Sequence, residues 1–209
     1  MKPVLTPLGD AALLIELGSR LDPALNARAR RLAEALNRRP EVEEAVPGHC
    51  SVTVYYDPDR TGWERLAQVA GRALAAPHSV AAPGRLHRIP VCYDGQDLLE
   101  CAERLQIASE LLIRLHGEPT YRCFMVGFVP GWGYLGTLDE RLRLPRRDRP
   151  RPRVLPGSVA IADDQTGIYP LAVPGGWNLI GRTPMKVLLP DSNLMSILRV
   201  GDRVKFYPI

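Results

Sequence analysis

Apolar residues in the first 75 positions follow two periods, one typical of strands and one typical of helices. An apolar residue at every second position, as in a half-buried strand, is found at Ala11, Leu13, Ile15 and Leu17. From Leu25 to Leu36 the apolar positions recur at helical spacing, and Asp22 and Pro23 precede them as helix-start residues. Residues 42–46 and 52–56 predict two further strands.

A second helix is predicted after residue 60. Thr61 and Glu64 have the spacing of a capping box. The apolar stripe of this helix consists of Trp63, Leu66, Ala70, Ala73 and Leu74. The order strand, helix, strand, strand, helix predicts helices on one face of an antiparallel sheet. We therefore expect a small α+β domain over residues 1–80.

The pattern changes beyond residue 75. Residues 76–88 hold two prolines and a glycine without any period, which predicts a linker. Residues 97–105 and 109–116 predict two short helices, the second ending at Gly117. Short strands are then predicted at 121–128, 158–162, 168–173, 177–180, 185–189 and 203–207. Strands without crossover helices predict a closed or nearly closed β-barrel, and we expect this second domain to span residues 81–209.

Composition narrows the class of protein and the partners to be expected. The 209 residues are 45% hydrophobic and 24% charged, as in ordinary soluble globular proteins. A net charge of +4 is too mild to indicate nucleic-acid binding. No segment reaches the roughly 20 apolar residues that cross a bilayer, and Asp10 and Glu16 interrupt the first apolar stretch, which argues against a signal peptide. We expect a cytoplasmic protein with no nucleic-acid or membrane partner.

The four cysteines are scattered and form no CxxC pair; they are Cys50, Cys92, Cys101 and Cys123. This distribution favours buried or inert thiols in a reducing compartment over a metal site or disulfides. We expect no metal.

Two glycine-rich segments have the spacing of nucleotide-binding loops. The segment from Gly176 to Thr183 reads G-x-x-x-x-G-R-T, but bulky residues separate its glycines, arginine replaces lysine, and Pro184 disfavours a helix start. The segment from Gly131 to Gly136 reads G-x-G-x-x-G, but the prolines that follow exclude the crossover helix of a dinucleotide site. We expect a glycine-rich turn there, and no nucleotide site is recognised in this chain.

One long motif spans residues 157–184 and reads GSVAIADDQTGIYPLAVPGGWNLIGRTP. It resembles the signature of the bacterial family that contains the B subunit of 5-oxoprolinase, the kinase inhibitor KipI and the first allophanate-hydrolase-like subunit, of the carboxyltransferase subdomain C and D type. The upstream segment RLHGEPTYRCFMVGFVPGWGYLG resembles the second signature of that family. Further similarity in GDAALLIELG, PGHCSVTVYYDP and GDRVKFYPI extends the resemblance over essentially the whole chain.

The resemblance implies a cyclophilin-like β-barrel behind the small α+β domain, without implying prolyl isomerase activity. It implies the B subunit of an ATP-dependent 5-oxoprolinase, whose subunits A, B and C together open 5-oxo-L-proline to L-glutamate. ATP is then used by the complex, and the single chain is expected to be inactive. Two alternatives stay open, since the motifs are shared: a KipI-like inhibitor of a sensor histidine kinase, and the carboxyltransferase half of a urea carboxylase or allophanate-type enzyme.

Three residues of the motifs are candidates for catalysis. The Arg182 guanidinium is suited to grip a carboxylate or phosphate with two parallel hydrogen bonds, although a strand-end arginine also pairs with local acids. His116 is a candidate proton carrier, or a structural hydrogen-bonding group. Tyr121 is a candidate donor to a developing oxyanion, or an aromatic core residue.

A second set of residues is predicted to bind substrate or a partner. Ser158 has no histidine nearby in sequence, which argues against a nucleophilic triad and favours positioning. The arginine-rich run 143–153 carries no interleaved aromatic residues, so it predicts a solvated loop or a flap that faces an anion, not a nucleic-acid surface. The full predicted binding set is Arg146, Arg153, Ser158, Gln165, Gly175, Gly176 and Thr183.

Overall fold

The computed structural model describes residues 3–76, 84–189 and 195–209. The chain divides into two compact units, Met1–Ala82 and Pro83–Ile209. Each unit has its own hydrophobic core.

The first unit is an antiparallel four-stranded sheet with two helices, in the strand order β1-β2-β4-β3. Its elements are β1 (Val4–Pro7), β2 (Ala12–Glu16), α1 (Pro23–Leu36), β3 (Val42–Pro47), β4 (Ser51–Tyr56) and α2 (Trp63–Ala75). Helix α1 packs against β3, β4 and α2. Alternate residues of β2 and β4 join the helix stripes in one core, as the periodicity predicts.

The two helix starts of this unit differ in chemistry. The Asp22 side chain accepts hydrogen bonds from the backbone amides of Ala24 and Leu25, so the predicted start of α1 is confirmed. The capping-box prediction for α2 is wrong, because the residue that precedes the helix is Gly62 and the buried Thr61 hydroxyl has no partner. Thr61 lies one residue before the capping position, which Gly62 occupies, so the capping box cannot form.

The second unit is built on a seven-stranded sheet in the order β12-β9-β10-β7-β6-β15-β5. Its helices are α3 (Leu98–Leu105) and α4 (Ser109–Gly117), with a short 3-10 turn at Glu140–Leu142. The strands of the sheet are β5 (Leu86–Val91), β6 (Tyr121–Val126), β7 (Gly133–Gly136), β9 (Ser158–Ala162), β10 (Gln165–Ile168), β12 (Asn178–Arg182) and β15 (Arg203–Pro208). Two small ribbons pair β8 (Arg151–Val154) with β11 (Val173–Gly175), and β13 (Leu188–Leu189) with β14 (Met195–Ser196).

The two edges of the seven-stranded sheet meet, so the sheet is nearly closed. Cys92 directly follows β5, and its backbone exchanges two hydrogen bonds of 2.8 Å with the backbone of Arg182 at the end of β12. The expected α+β class with a barrel-like second part is therefore confirmed. Successive residues of β9 alternate between a large aliphatic core and a smaller aromatic cluster, which places the sheet between the two.

The structure corrects several strand predictions. Residues 133–136, predicted as a turn, form β7 and pair with both β6 and β10. Residues 168–173, predicted as one strand, hold only the end of β10 and the start of β11, because Pro170 has no N–H to donate to a ladder. The predicted linker 76–88 includes the start of β5, while its residues 77–83 lie outside the described part.

No helix among the described residues is long and apolar enough to span a membrane.

Candidate functional site

A pocket of about 340 Å³ lies beside the junction of β5 and β12. We call it the arginine pocket; its lining residues are Asp94, Gly95, Gln96, Arg153, Val154, Leu155, Ser158, Leu179, Gly181 and Arg182. It brings together three of the residues predicted from the motifs, Arg153, Ser158 and Arg182.

The two arginines of this pocket are in different electrostatic states. The Arg182 side chain is 71% exposed, and its Nε and Nη2 donate to one oxygen of Asp94, at 2.9 and 2.8 Å. The hydrogen bond from Arg182 holds the pKa of the Asp94 carboxyl below its usual range. The side chain of Arg153, by contrast, forms no hydrogen bond or ion pair with any residue in the described parts of the chain. The pocket thus has one paired and one available cation.

The wall formed by residues 92–97 is anchored tightly to β12. Gly95 is required there, since a Cβ atom at this position would lie 2.3 Å from the carbonyl carbon of Ile180. The buried Asp97 carboxylate accepts a hydrogen bond of 2.7 Å from the amide of Leu179. Asp94 and Gln96 lie on either side of Gly95 in the chain and line the pocket.

His116 is fully buried at the end of α4 and lines neither pocket described in this section. Its Nδ1 lies 2.8 Å from the Tyr93 hydroxyl, and its Nε2 lies 2.9 Å from the Thr166 hydroxyl, which itself donates to the carbonyl of Ala160. This chain of hydrogen bonds assigns the proton to Nε2, so that Nδ1 accepts from Tyr93. Burial lowers the pKa of His116 to about 3, and the ring is neutral at physiological pH.

Tyr121 is also in the core. Its hydroxyl donates to the backbone carbonyl of His116 at 2.8 Å, and burial raises its pKa. The two ring centroids lie 5.6 Å apart, and the Phe206 ring stacks on His116 at 4.7 Å. The three predicted catalytic residues therefore do not meet in one site: Arg182 is at the surface, while His116 and Tyr121 form a buried network connected to the arginine pocket through Tyr93, next to Asp94.

A second recess, of about 220 Å³, lies over the aromatic cluster on the other face of β9. We call it the aromatic pocket; its lining residues are Phe128, Trp132, Tyr134, Arg146, Pro150, Tyr169, Pro174, Gly175, Gly176 and Trp177. It brings together Arg146, Gly175 and Gly176 from the predicted binding set. A Cβ atom on Gly175 would lie 2.2 Å from the Tyr169 hydroxyl, so the close approach of backbone and ring requires glycine.

The remaining predicted residues lie elsewhere. Thr183 is buried, and its hydroxyl accepts from the amide of Met185 at 3.2 Å. Gln165 begins β10, opposite Gly136 of β7 and Ala162 of β9. Neither residue lines the arginine pocket or the aromatic pocket.

The arginine-rich run has both structural and exposed members. Arg147 and Arg151 both pair with Asp97, at 3.1 and 2.5 Å, and Arg147 also bonds Glu100. These two arginines hold the run against α3. Arg146 and Arg153 instead face the two pockets, so the run is neither wholly a solvated loop nor wholly a flap.

The two segments with nucleotide-loop spacing form strands. Residues 133–136 are β7, and residues 178–182 are β12. A 3-10 turn of three residues follows β7, not a crossover helix. Among the described residues there is no group of three or more His, Cys, Asp or Glu side chains that could hold a metal ion.

Sequence reasoning missed four residues of these sites. Asp94 and Asp97 are ordinary acids in the sequence, and only the closure of the barrel brings them against β12. Phe128 and Tyr93 look like core aromatics, yet Phe128 is 63% exposed at the aromatic pocket. The positive φ of Phe128, +70°, leaves no signal in a single sequence.

The comparison with known proteins agrees with the motifs. Residues 3–198 match the family described as carboxyltransferase domain, subdomain C and D. The chain is 36% identical to the B subunit of 5-oxoprolinase from Bacillus subtilis (strain 168), over 97% of this chain and 91% of that protein. It is 37% identical to the B subunit of 5-oxoprolinase from Escherichia coli O157:H7, over 96% of this chain and 94% of that protein.

Solved structures share the fold. The crystal structure of TTHA0988 has a TM-score of 0.85 and 41% identity, over 95% of this chain but only 40% of that chain. This chain therefore spans less than half the length of TTHA0988. The Kluyveromyces lactis urea carboxylase has a TM-score of 0.80 at 19% identity, over 99% of this chain and 22% of that one, which shows the fold alone. The resemblance found in the motifs is confirmed, and the chain belongs to the carboxyltransferase domain, subdomain C and D, family.

Proposed function

We propose that this chain is the B subunit of a 5-oxoprolinase that opens 5-oxo-L-proline to L-glutamate with ATP. The observation that carries the proposal is the similarity to proteins named as the B subunit of 5-oxoprolinase, at 36–37% identity over 96–97% of this chain. Likeness over the whole chain supports a shared role more strongly than a shared fold, which hosts many functions.

The proposed assembly includes subunits A and C, with ATP used by the complex. The word "subunit" in the names of the relatives supports partners of this kind. Both segments with nucleotide-loop spacing lie in strands, so we place nucleotide binding in a partner. The chain alone is then inactive.

Within this function, we assign the arginine pocket to the recognition of an anionic group, a carboxylate or a phosphoryl group. Arg153 is available, and Arg182 shares its donors with an exposed aspartate that an incoming anion can displace. The Ser158 hydroxyl offers a neutral hydrogen-bonding group in the same pocket. We assign His116 and Tyr121 a positioning role, because burial keeps both rings from a substrate.

Reconstitution tests the proposed function. The chain is co-expressed with candidate A and C subunits, and 5-oxoproline-dependent ATP hydrolysis and glutamate formation are measured. We expect turnover by the complex and none by the chain alone. Robust turnover by the pure chain, or a stable complex that leaves 5-oxoproline intact, contradicts the proposal.

A carboxyltransferase role is the second candidate, favoured by the description of the matching family. The same preparation tests it when a biotin carboxylase with its biotinylated carrier, ATP, bicarbonate and urea replace subunits A and C and 5-oxoproline. Carboxyl transfer to urea that depends on this chain would favour this candidate over the first.

A further inference from the structure

The aromatic pocket has a floor of buried rings. The Trp132 ring lies 4.6 Å from Tyr169 and 4.9 Å from Trp177, centroid to centroid, and it is edge-on to Trp177. Tyr134 joins them at 5.7 Å from Trp132. Such edge contacts fix ring positions and present flat apolar surface to the recess. At about 220 Å³, the recess is smaller than the roughly 300–1,000 Å³ of pockets for drug-sized ligands, and it suits a ligand of one small ring.

Phe128, at the rim of the aromatic pocket, has a strained backbone conformation. Its φ of +70° is in the left-handed region, which a bulky side chain rarely adopts, and its ring is 63% exposed. An exposed aromatic ring in a strained conformation contributes little to the core. Strain of this kind gathers at binding sites, where the surrounding structure holds a side chain in place for a ligand.

Arg146 supplies the only side-chain charge among the lining residues of the aromatic pocket. Its guanidinium carbon lies 5.9 Å from the centroid of the Trp177 ring. Its ion pair with Asp163 is long, at 3.7 Å, and both side chains are about 60% exposed. An exposed pair at this distance is weak, so the cation is available to an anionic ligand.

We propose that the aromatic pocket binds a small cyclic amide that carries one carboxylate, with the ring between the aromatic side chains and the carboxylate on Arg146. The proposal rests on the function proposed above and deepens it, with 5-oxoproline as the probe. The anion that binds in the arginine pocket is then a different group from this carboxylate.

The charge of the pocket predicts its selectivity. The ring nitrogen of 5-oxoproline is a neutral amide, whereas that of L-proline is a cationic ammonium. A cation close to Arg146 and inside an apolar recess is repelled and costs desolvation. L-glutamate has an ammonium as well and no ring to fill the pocket. We therefore expect 5-oxoproline to bind more tightly than either amino acid.

Binding is measured on the full chain by ligand-observed saturation-transfer NMR, with 5-oxoproline, L-proline and L-glutamate as ligands. We expect saturable binding of 5-oxoproline and a Kd about ten- to a hundredfold higher for Arg146→Gln, as for the loss of a charge-assisted contact. Arg143→Gln is the matched control, since Arg143 is exposed in the same run and does not line the pocket. The control should bind as the parent does.

A second variant separates binding from folding. Phe128→Gly relieves the left-handed strain while it removes one wall, so it should weaken binding and leave the melting temperature close to that of the parent. Tryptophan emission gives an independent readout, because Trp132 and Trp177 line the pocket while Trp63 lies in the other unit. The ligand-induced change in emission should survive Trp63→Phe.

No saturable 5-oxoproline binding by the chain, or binding that Arg146→Gln and Phe128→Gly leave unchanged, overturns the inference. Binding that is lost in Arg182→Gln instead would move the ligand to the arginine pocket and overturn it as well. In the reconstituted complex, Arg146→Gln should raise KM for 5-oxoproline but not for ATP. A complex without 5-oxoprolinase activity contradicts the proposed function whatever the chain binds, whereas an active complex with an unchanged KM for 5-oxoproline contradicts this inference alone.

Discussion

Polar side chains at the candidate sites are of two kinds: some have all their hydrogen-bond partners inside the protein, and others are exposed or lack a partner. The His116 ring has a partner at each nitrogen and no access to solvent. Arg182 is paired but exposed, and Arg153 has no partner among the described residues. A side chain whose hydrogen bonds are complete and buried serves structure, while an exposed or incomplete one is open to a ligand. The two kinds call for different experiments.

Arg182→Lys should lower kcat/KM of the reconstituted complex about ten- to a hundredfold, because lysine keeps the charge but loses the planar fork. The melting temperature should stay nearly unchanged, since the pair with Asp94 is exposed. Arg141→Lys is the matched control, because Arg141 is likewise exposed, is paired with an aspartate, Asp139, and lines neither pocket. Full activity together with a lower melting temperature would make Arg182 structural.

The buried His116 predicts a pH dependence of stability. Its pKa is about 3 in the folded chain and about 6.5 when unfolded, so the unfolded state binds the extra proton between these values. Above pH 6.5 the His116 ring is neutral in both states, and the free energy of unfolding keeps its full value. As pH falls from 6.5 toward 3, the unfolded state gains the proton and the free energy of unfolding decreases. Between pH 7 and pH 5 this amounts to about 2 kcal/mol.

Thermal melts at the two pH values measure this loss in the parent and in His116→Gln, whose side chain does not titrate. The variant should be less stable at pH 7 but lose less on acidification. An equal pH dependence in both proteins would mean that His116 does not cause it.

At the scale of elements, local chemistry predicts a helix only where the capping side chain is in register. Asp22 caps α1, whereas the Thr61 hydroxyl misses α2 by one residue. Strands depend more on distant partners. Strand β5 (Leu86–Val91) pairs with β15, which lies more than 100 residues later in the chain. The residues close to β5 in sequence give no signal of that pairing.

The pair of helix starts provides a matched test. Asp22→Ala should lower the melting temperature by roughly 2–8 °C, because two amides lose their acceptor. Thr61→Val should leave it unchanged or raise it, because the buried hydroxyl has no hydrogen bond to lose. A larger fall for Thr61→Val than for Asp22→Ala would contradict this account of the two caps.

Features that depend on residues close in sequence could be predicted, and features that depend on residues distant in sequence could not. The motif 157–184 identified the family, and periodicity predicted the helices and the barrel class. The pockets could not be predicted, because each depends on segments that only the barrel brings together. Asp94 reaches Arg182 through the closure at Cys92, and Phe128 lines the same pocket as Arg146 although the two are distant in sequence. A single sequence records neither proximity.

The chain divides into two units, and among the described residues their hydrophobic cores have no residue in common. The domain organisation expected from the sequence, 1–80 and 81–209, stays a prediction, and the compact units are Met1–Ala82 and Pro83–Ile209. Separate cores are what independent folding requires.

We therefore predict that residues 1–82 and 83–209, expressed as separate chains, each fold and melt cooperatively. Circular dichroism melts and dispersed amide NMR spectra would measure this. The second chain should retain 5-oxoproline binding, since both pockets lie within it. A molten or aggregated 83–209 chain beside a well-folded full chain would show that the second unit depends on the first.

The position of β15 between β5 and β6 has a consequence for synthesis of the protein. β5 leaves the ribosome early in the second unit, yet the strand that pairs with it is Arg203–Pro208. The first unit contains all of its strands by residue 56 and is able to fold during translation. Strand β6 finds a partner soon afterwards in β7, but β5 has no neighbour in the seven-stranded sheet until β15 has been made. Until then the apolar residues of β5 are exposed to misfolding or to binding by chaperones.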